Sequence, residues 1–158
     1  FERKLARIKK SVTIYCLRFV PQLTLIHRQV FLTMRNTINW FELPVTDFDR
    51  AKKFYEAIFE VKMDDQMMGP YRMGFFPGDQ QGVSGAIVHG DGYVPSDKGA
   101  MVYLNADGII DEVIGRIGKA GGNVVVPRTP ITPEIGDFAI FLDTEGNKVA
   151  LHTPPPRK

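Results

Sequence analysis

The segment WFELPVTDFDRAKKFYEAIF, residues 40–59, changes hydrophobic period once, at Asp47. In 40–45 the period is two, with Phe41, Leu43 and Val45 on one face and Trp40 and Glu42 on the other. From Phe48 onward Phe48, Ala51, Phe54, Tyr55, Ile58 and Phe59 form one stripe of a helix. Thr46 and Asp47 lie between, where side-chain oxygens can accept the unpaired N–H groups of a helix start. Pro44 has no N–H to donate and suits a strand end or edge. A chain with this switch begins a βα unit, and its helix must be packed on a sheet to bury that stripe.

Shifting the sequence by 60 brings the junction round again: Phe41 falls on Met101, Leu43 on Tyr103 and Asp47 on Asp107. The second helical stripe is Ile109, Ile110, Val113, Ile114 and Ile117, stopped by Ala120-Gly121-Gly122. Strands are expected after the first helix at 62–67, 71–76 and 83–89, and after the second at 123–126, 137–142 and 148–153. DTEGN, 143–147, joins the last two as a hairpin loop. Each half thus reads βαβββ, and GDGYVPSDKG, 90–99, links them. The expected fold class is α+β: two tandem βαβββ modules, about 36–92 and 99–153, sharing a sheet around a concave cleft suited to a small molecule.

Charge divides the chain elsewhere. Residues 1–33 carry seven Lys/Arg against Glu2, a balance of +6, and residues 34–158 carry thirteen against seventeen, a balance of −4. The expected organisation is a basic N-terminal extension at 1–33 and a single domain at 34–158, with Met34 as the natural start; a basic arm for nucleic acid or membrane is the alternative. The domain itself is mildly acidic, which speaks against nucleic acid as its partner. The extension's apolar run is interrupted by Arg18 and Pro21, so no membrane span is expected. Cys16 is the only cysteine, which excludes an intrachain disulfide and fits a reducing, cytoplasmic setting. No Ser/His/Asp or Cys/His set appears, and GDGY and AGGN lack the strand–loop–helix context of a phosphate loop.

The stretches ELPVTDFDRAKKFYEAIF, GVSGAIVHGDGYVPS, MVYLNADGIIDEVIGRIGKAGGNVVVPRTPI and GDFAIFLDTEGNKVALHTP resemble the vicinal-oxygen-chelate superfamily. That superfamily contains glyoxalase I, extradiol dioxygenases and bleomycin-resistance proteins. The similarity covers residues 36–153 and points to the glyoxalase-like branch related to lactoylglutathione lyase. It implies a cleft-forming fold, often dimeric, so a homodimer is expected, with exposed apolar residues in 67–71 or 83–87 as a contact surface. Metal-dependent members place one His, Gln or Glu on each of four cleft strands, holding Zn, Ni, Fe or Mn. Carried onto this chain, those positions are Trp40, a residue within 84–87, Ala100 or Met101, and Ala150, none a usual ligand. No metal or other cofactor is therefore expected and glyoxalase I activity is not, with a divalent metal on shifted ligands as the alternative.

If Trp40 faces the cleft, Glu42 does too, and if Ala150 does, so do Lys148 and His152. The repeat adds Ala100, Val102 and Leu104. The expected cleft is apolar, with Trp40 as an aromatic platform. Glu42 is either a base in a partly dry site or a carboxylate that pairs with Lys148 or reaches solvent. His152 either joins Glu42 as an acid/base or metal pair, or is an inert strand-end residue beside Pro154-Pro155-Pro156. His89 reads as a loop-edge residue. The 90–99 linker either covers the cleft as a lid, from which Tyr93 can stack on a ligand, or is simply a connector. Arg128 can hold an anionic group through its fork of donors, or is a solvated cation. Three functions follow as expectations: binding of a small apolar or aromatic molecule without the usual metal site; a lyase, isomerase or dioxygenase-type enzyme using Glu42 and His152; or an accessory protein-interaction domain.

Overall fold

The structure is a computed structural model, and it describes residues 36–78 and 82–156. The basic extension 1–33, with Cys16 and the proposed start at Met34, lies outside the described residues.

The period switch forms the expected junction. Strand β1 (Trp40–Pro44) leads to helix α1 (Phe48–Phe59), and the Asp47 carboxylate caps the helix by accepting the Arg50 N–H at 3.0 Å. Phe48, Ala51, Phe54, Tyr55 and Ile58 are buried along the expected stripe. Strands β2 (Asp64–Met68), β3 (Tyr71–Phe75) and β4 (Ser84–His89) complete the first module. The second contains β5 (Tyr103–Asn105), α2 (Ile110–Ile117), β6 (Asn123–Thr132), β7 (Gly136–Leu142) and β8 (Lys148–Thr153). The N-cap of α2 is Ile109, with no side-chain cap, so Asp107 does not repeat the role of Asp47.

Each module closes its own mixed sheet, ordered β1-β4-β3-β2 in the first and β5-β8-β7-β6 in the second. The expectation of one shared sheet is corrected here: β1 and β5 are outer strands, each paired in parallel with one neighbour, and no ladder joins them. Strand β6 also runs further than 126, through Pro127 and Pro130 to Thr132. Its edge position tolerates two residues without N–H, at the cost of three register shifts against β7.

One core holds the modules together. Leu43 and Val45 of β1, the α1 stripe, Ile87, Leu104, Ala106, the α2 stripe, Ala139, Phe141, Val149 and Leu151 are one buried cluster. Gly122 permits the close approach, since a Cβ there would sit 2.7 Å from the Phe54 ring and 2.9 Å from the Leu142 carbonyl oxygen.

The second module also closes both ends of α1. At the N-terminal end Glu145, from the β7–β8 turn, accepts the N–H groups of Thr46 (3.0 Å) and Asp47 (2.9 Å), the Thr46 hydroxyl (2.7 Å) and Arg50 Nε (2.8 Å). At the C-terminal end Arg116 donates to the Ile58 carbonyl (3.2 Å) and pairs with Glu60 (2.7 Å). An anion at the start and a cation at the finish both suit the helix dipole. Behind Glu145 lies a buried network. Asp143 accepts Tyr55 Oη (2.7 Å) and Asn147 Nδ2 (2.9 Å), and Asn147 Nδ2 also reaches the Pro44 carbonyl (2.8 Å). Asn147 Oδ1 accepts the Ser96 N–H of the linker (3.0 Å).

Candidate functional site

With Phe41, Leu43 and Ile87 turned to the core, alternation puts Trp40 and Glu42 of β1 and Ser84, Ala86 and Val88 of β4 on the outer face of the first sheet. Strand β3 adds Tyr71, Met73 and Phe75, since Met73 pairs with Val88 and Phe75 with Ala86. This face, the Trp40 dish, is centred on Ala86 and Val88, which are themselves fully buried. Its rim includes Trp40, 40 % exposed, with its ring 5.9 Å from that of Phe75. Tyr93, from the linker, packs edge-on against Tyr71 at 5.3 Å. The linker lies this close because residue 90 is glycine; a Cβ there would be 2.3 Å from the Tyr71 ring.

Glu42 sits among these rings. Its Oε1 accepts Trp40 Nε1 at 3.2 Å and its Oε2 accepts the Tyr93 hydroxyl in a short hydrogen bond. That bond, with burial adding to it, raises the Tyr93 phenol above its ordinary range and keeps it a proton donor. Trp40, Glu42 and Tyr93 are therefore brought together. The expected pairing of Glu42 with Lys148 is not formed, and among the described residues no cation lies within ion-pair distance of Glu42. Tyr71, Met73 and Phe75 were not among the expected site residues, although their alternation in YRMGF carries the signal.

The second sheet has a corresponding outer face. Val149 and Leu151 belong to the core, so Lys148, Ala150 and His152 share the opposite side, as expected. Val102 and Leu104 do not join them. Leu104 is core, 6 % exposed, and Val102 packs against the core. The outer positions go to Tyr103 and Asn105, paired with Ala150 and His152. The cause is the register of the repeat. Leu43 and Leu104 are equivalent, 61 positions apart, as shown by Val45 N–H donating to Val88 and Ala106 N–H to His152. A step of 60 turns every side chain to the wrong face.

The structure does not bring His152 to Glu42. His152 is on β8 of the second sheet, where its Nε2 lies 2.9 Å from the Ile135 carbonyl. Glu42 is on β1 of the first sheet with other partners. His89 has Nδ1 3.1 Å from the Val45 carbonyl, a structural contact at the end of β4. Arg128 is not free for an anion either. Its Nε and Nη2 both lie 2.6 Å from Asp137, and Nη1 pairs with Asp111. It lines a groove of about 620 Å³ that also includes Asp107, Glu112, Pro130 and Pro154, and none of Trp40, Glu42 or Tyr93.

The residues present do not fit the metal site that the resemblance implies. By register, the positions on β4 and β8 beside the outer strands are Ala86, opposite Glu42, and Ala150, opposite Tyr103. Two of the four positions thus carry methyl groups. Among the described residues no three His, Cys, Asp or Glu side chains gather where they could hold a metal. No helix of the described residues is long and apolar enough to cross a membrane. Met67 and Met68, at 63 % and 52 % exposed, and Val83 are open to solvent as expected, whereas Ile87 is fully buried.

Residues 37–151 match the family model described as the Glyoxalase/Bleomycin resistance protein/Dioxygenase superfamily, and the chain belongs to that family. A glyoxylase-like domain-containing protein of Didymella fabae is 31 % identical over 78 % of this chain and 98 % of its own length. Among solved structures, a glyoxalase/bleomycin resistance protein from Albidiferax ferrireducens aligns with a TM-score of 0.58 and 16 % identity, over 76 % of this chain and all of that one. Glyoxalase I from Zea mays aligns with a TM-score of 0.55 and 19 % identity, over 75 % of this chain and 45 % of the maize chain. The chain thus spans less than half of the maize enzyme. At these identities the two structures establish the fold alone.

Proposed function

We propose that this glyoxalase-like protein binds a small, largely apolar or aromatic molecule on the Trp40 face of its first sheet, without the metal site usual in the family. One observation carries this reading. The one tryptophan of the chain is half exposed on a sheet face, held against Phe75 and pinned through its Nε1 to Glu42. A large, rigid ring kept at the surface by a hydrogen bond is a preformed contact for a ligand. Family membership supports it only at the level of the fold. Methyl groups at Ala86 and Ala150 support the absence of the usual ligands.

The test is titration of Trp40 fluorescence with benzyl alcohol and cyclohexanol, repeated by saturation-transfer NMR on Trp40→Ala. A saturable response to the aromatic probe, lost in the variant, is expected. A linear, unsaturated response to both probes in the unaltered protein overturns the reading.

A further inference from the structure

We infer that the ligand taken by the Trp40 dish is a cation, of the alkylated or quaternary ammonium class. This rests on the reading above and names the substrate class of the same site. Three features of the dish point the same way. First, the Glu42 carboxylate has no Lys, Arg or His as ion-pair partner among the described residues. Its two donors, Trp40 Nε1 and the Tyr93 hydroxyl, fix the carboxylate without neutralising it. Second, the four rings in the rim, Trp40, Tyr71, Phe75 and Tyr93, each present a negative π surface. Third, the basic group on β3 is turned away. Arg72 lies between Tyr71 and Met73 of that face, yet its guanidinium sits 4.0 Å over the Phe48 ring on the helix side and pairs with Asp65 (2.6 Å) and Asp49 (3.0 Å).

A neutral aromatic ligand gains from the rings alone and nothing from the Glu42 carboxylate. An anion would meet like charge. A cation gains from both the carboxylate and the rings. Each Glu42 oxygen already accepts one fixed donor, which leaves few free acceptors on a face made mostly of rings. That favours a methylated ammonium, which asks for charge and π contact rather than for hydrogen-bond acceptors.

The experiment uses the full chain and a matched pair, choline and 3,3-dimethylbutan-1-ol, in which a quaternary nitrogen replaces a quaternary carbon. Binding is read from Trp40 fluorescence and by saturation-transfer NMR. Choline is expected to bind roughly tenfold more tightly, the scale of a cation–π contact strengthened by one nearby charge. Glu42→Gln is expected to bring the two probes level. Glu42→Gln is expected to keep its affinity for 3,3-dimethylbutan-1-ol, which guards against its acting through folding. Equal affinity for the two probes overturns the cation assignment while leaving the binding reading standing. A preference for choline that survives Glu42→Gln overturns the role of the carboxylate. If neither probe binds and benzyl alcohol does not either, the binding reading falls as well.

Discussion

Glu145 offers the sharpest test of how the two modules are joined. Burial pushes its carboxyl upward, since its side chain has no exposed surface. Arg50, the N–H groups of Asp47 and Thr46 and the Thr46 hydroxyl more than offset this, and hold it at about 2 against an ordinary 4.5. The folded state therefore binds this proton more weakly than the unfolded chain does. Stability from Glu145 is fully present above about pH 5 and is lost as pH falls toward 2. A drop from 4.5 to about 2 corresponds to on the order of 3 kcal/mol at neutral pH. Glu145→Gln removes the charge and keeps one carbonyl acceptor for the Asp47 and Thr46 N–H groups. It should cost roughly 2–3 kcal/mol at pH 7.

Urea unfolding of both proteins, followed by far-ultraviolet circular dichroism from pH 7 to pH 2.5, measures the gap directly. Glu56 and Asp65, whose carboxyls are also held low, occur in both proteins and cancel in the difference. The stability gap should be widest at pH 7 and should narrow steadily between about pH 5 and the acid limit. A gap that does not change with pH, or no gap at pH 7, would refute the reasoning. In either case Glu145 would be ordinary turn chemistry rather than the cap of the other module's helix.

Other substitutions separate the latch from the dish. Tyr55→Phe deletes the donor to buried Asp143 and should lower stability by about 1–3 kcal/mol in the same urea assay. Gly122→Ala drives a methyl group into Phe54 and the Leu142 carbonyl, and should cost about 1–3 kcal/mol or more. Arg128→Ala loses ion pairs on a side chain that is 42 % exposed, so its stability change should stay within about 1 kcal/mol and ligand binding at the dish should be unchanged in the Trp40 titration. Gly90→Ala pushes the linker off Tyr71 and should raise the exposure of Tyr93, seen as a shifted emission of nearby Trp40, with little change in far-ultraviolet dichroism.

The parts of the fold legible in the sequence were those that a period settles locally. The change of period at Asp47 marks a cap, because a β-region residue with a short carboxylate before an amphipathic stripe has few other places to be. The faces of β1 and β8 were legible for the same reason: core residues alternate cleanly there, so Trp40 with Glu42, and Lys148 with Ala150 and His152, fall together. In β5 the pattern misleads. Only three residues form that strand, and too short a run of alternation cannot fix register against a repeat that carries one extra residue. The 60-residue repeat turns Val102 and Leu104 outward, whereas the partner strand, through Ala150 and His152, gives that face to Tyr103 and Asn105. Strand β6 hid behind its prolines, which mark a chain break in most sheets but not on an edge.

What no local pattern could carry is the set of contacts between residues far apart in the chain. DTEGN reads as a turn and is one, with Gly146 in the left-handed region at φ 88°. Its acidic residues nevertheless do their main work about a hundred positions away, at Thr46, Asp47, Arg50 and Tyr55. The dish has the same character. Trp40 and Glu42 are neighbours by alternation, but Tyr93 reaches Glu42 only because Gly90 lets the linker lie on Tyr71, a steric fact of the folded chain. Glu42 thus changes meaning between sequence and structure. Along the chain it is a carboxylate that could pair with Lys148 or work with His152. In the fold its two oxygens are taken by the donors of two aromatic residues, with no cation paired to it among the described residues, and the proposed cation recognition rests on that arrangement.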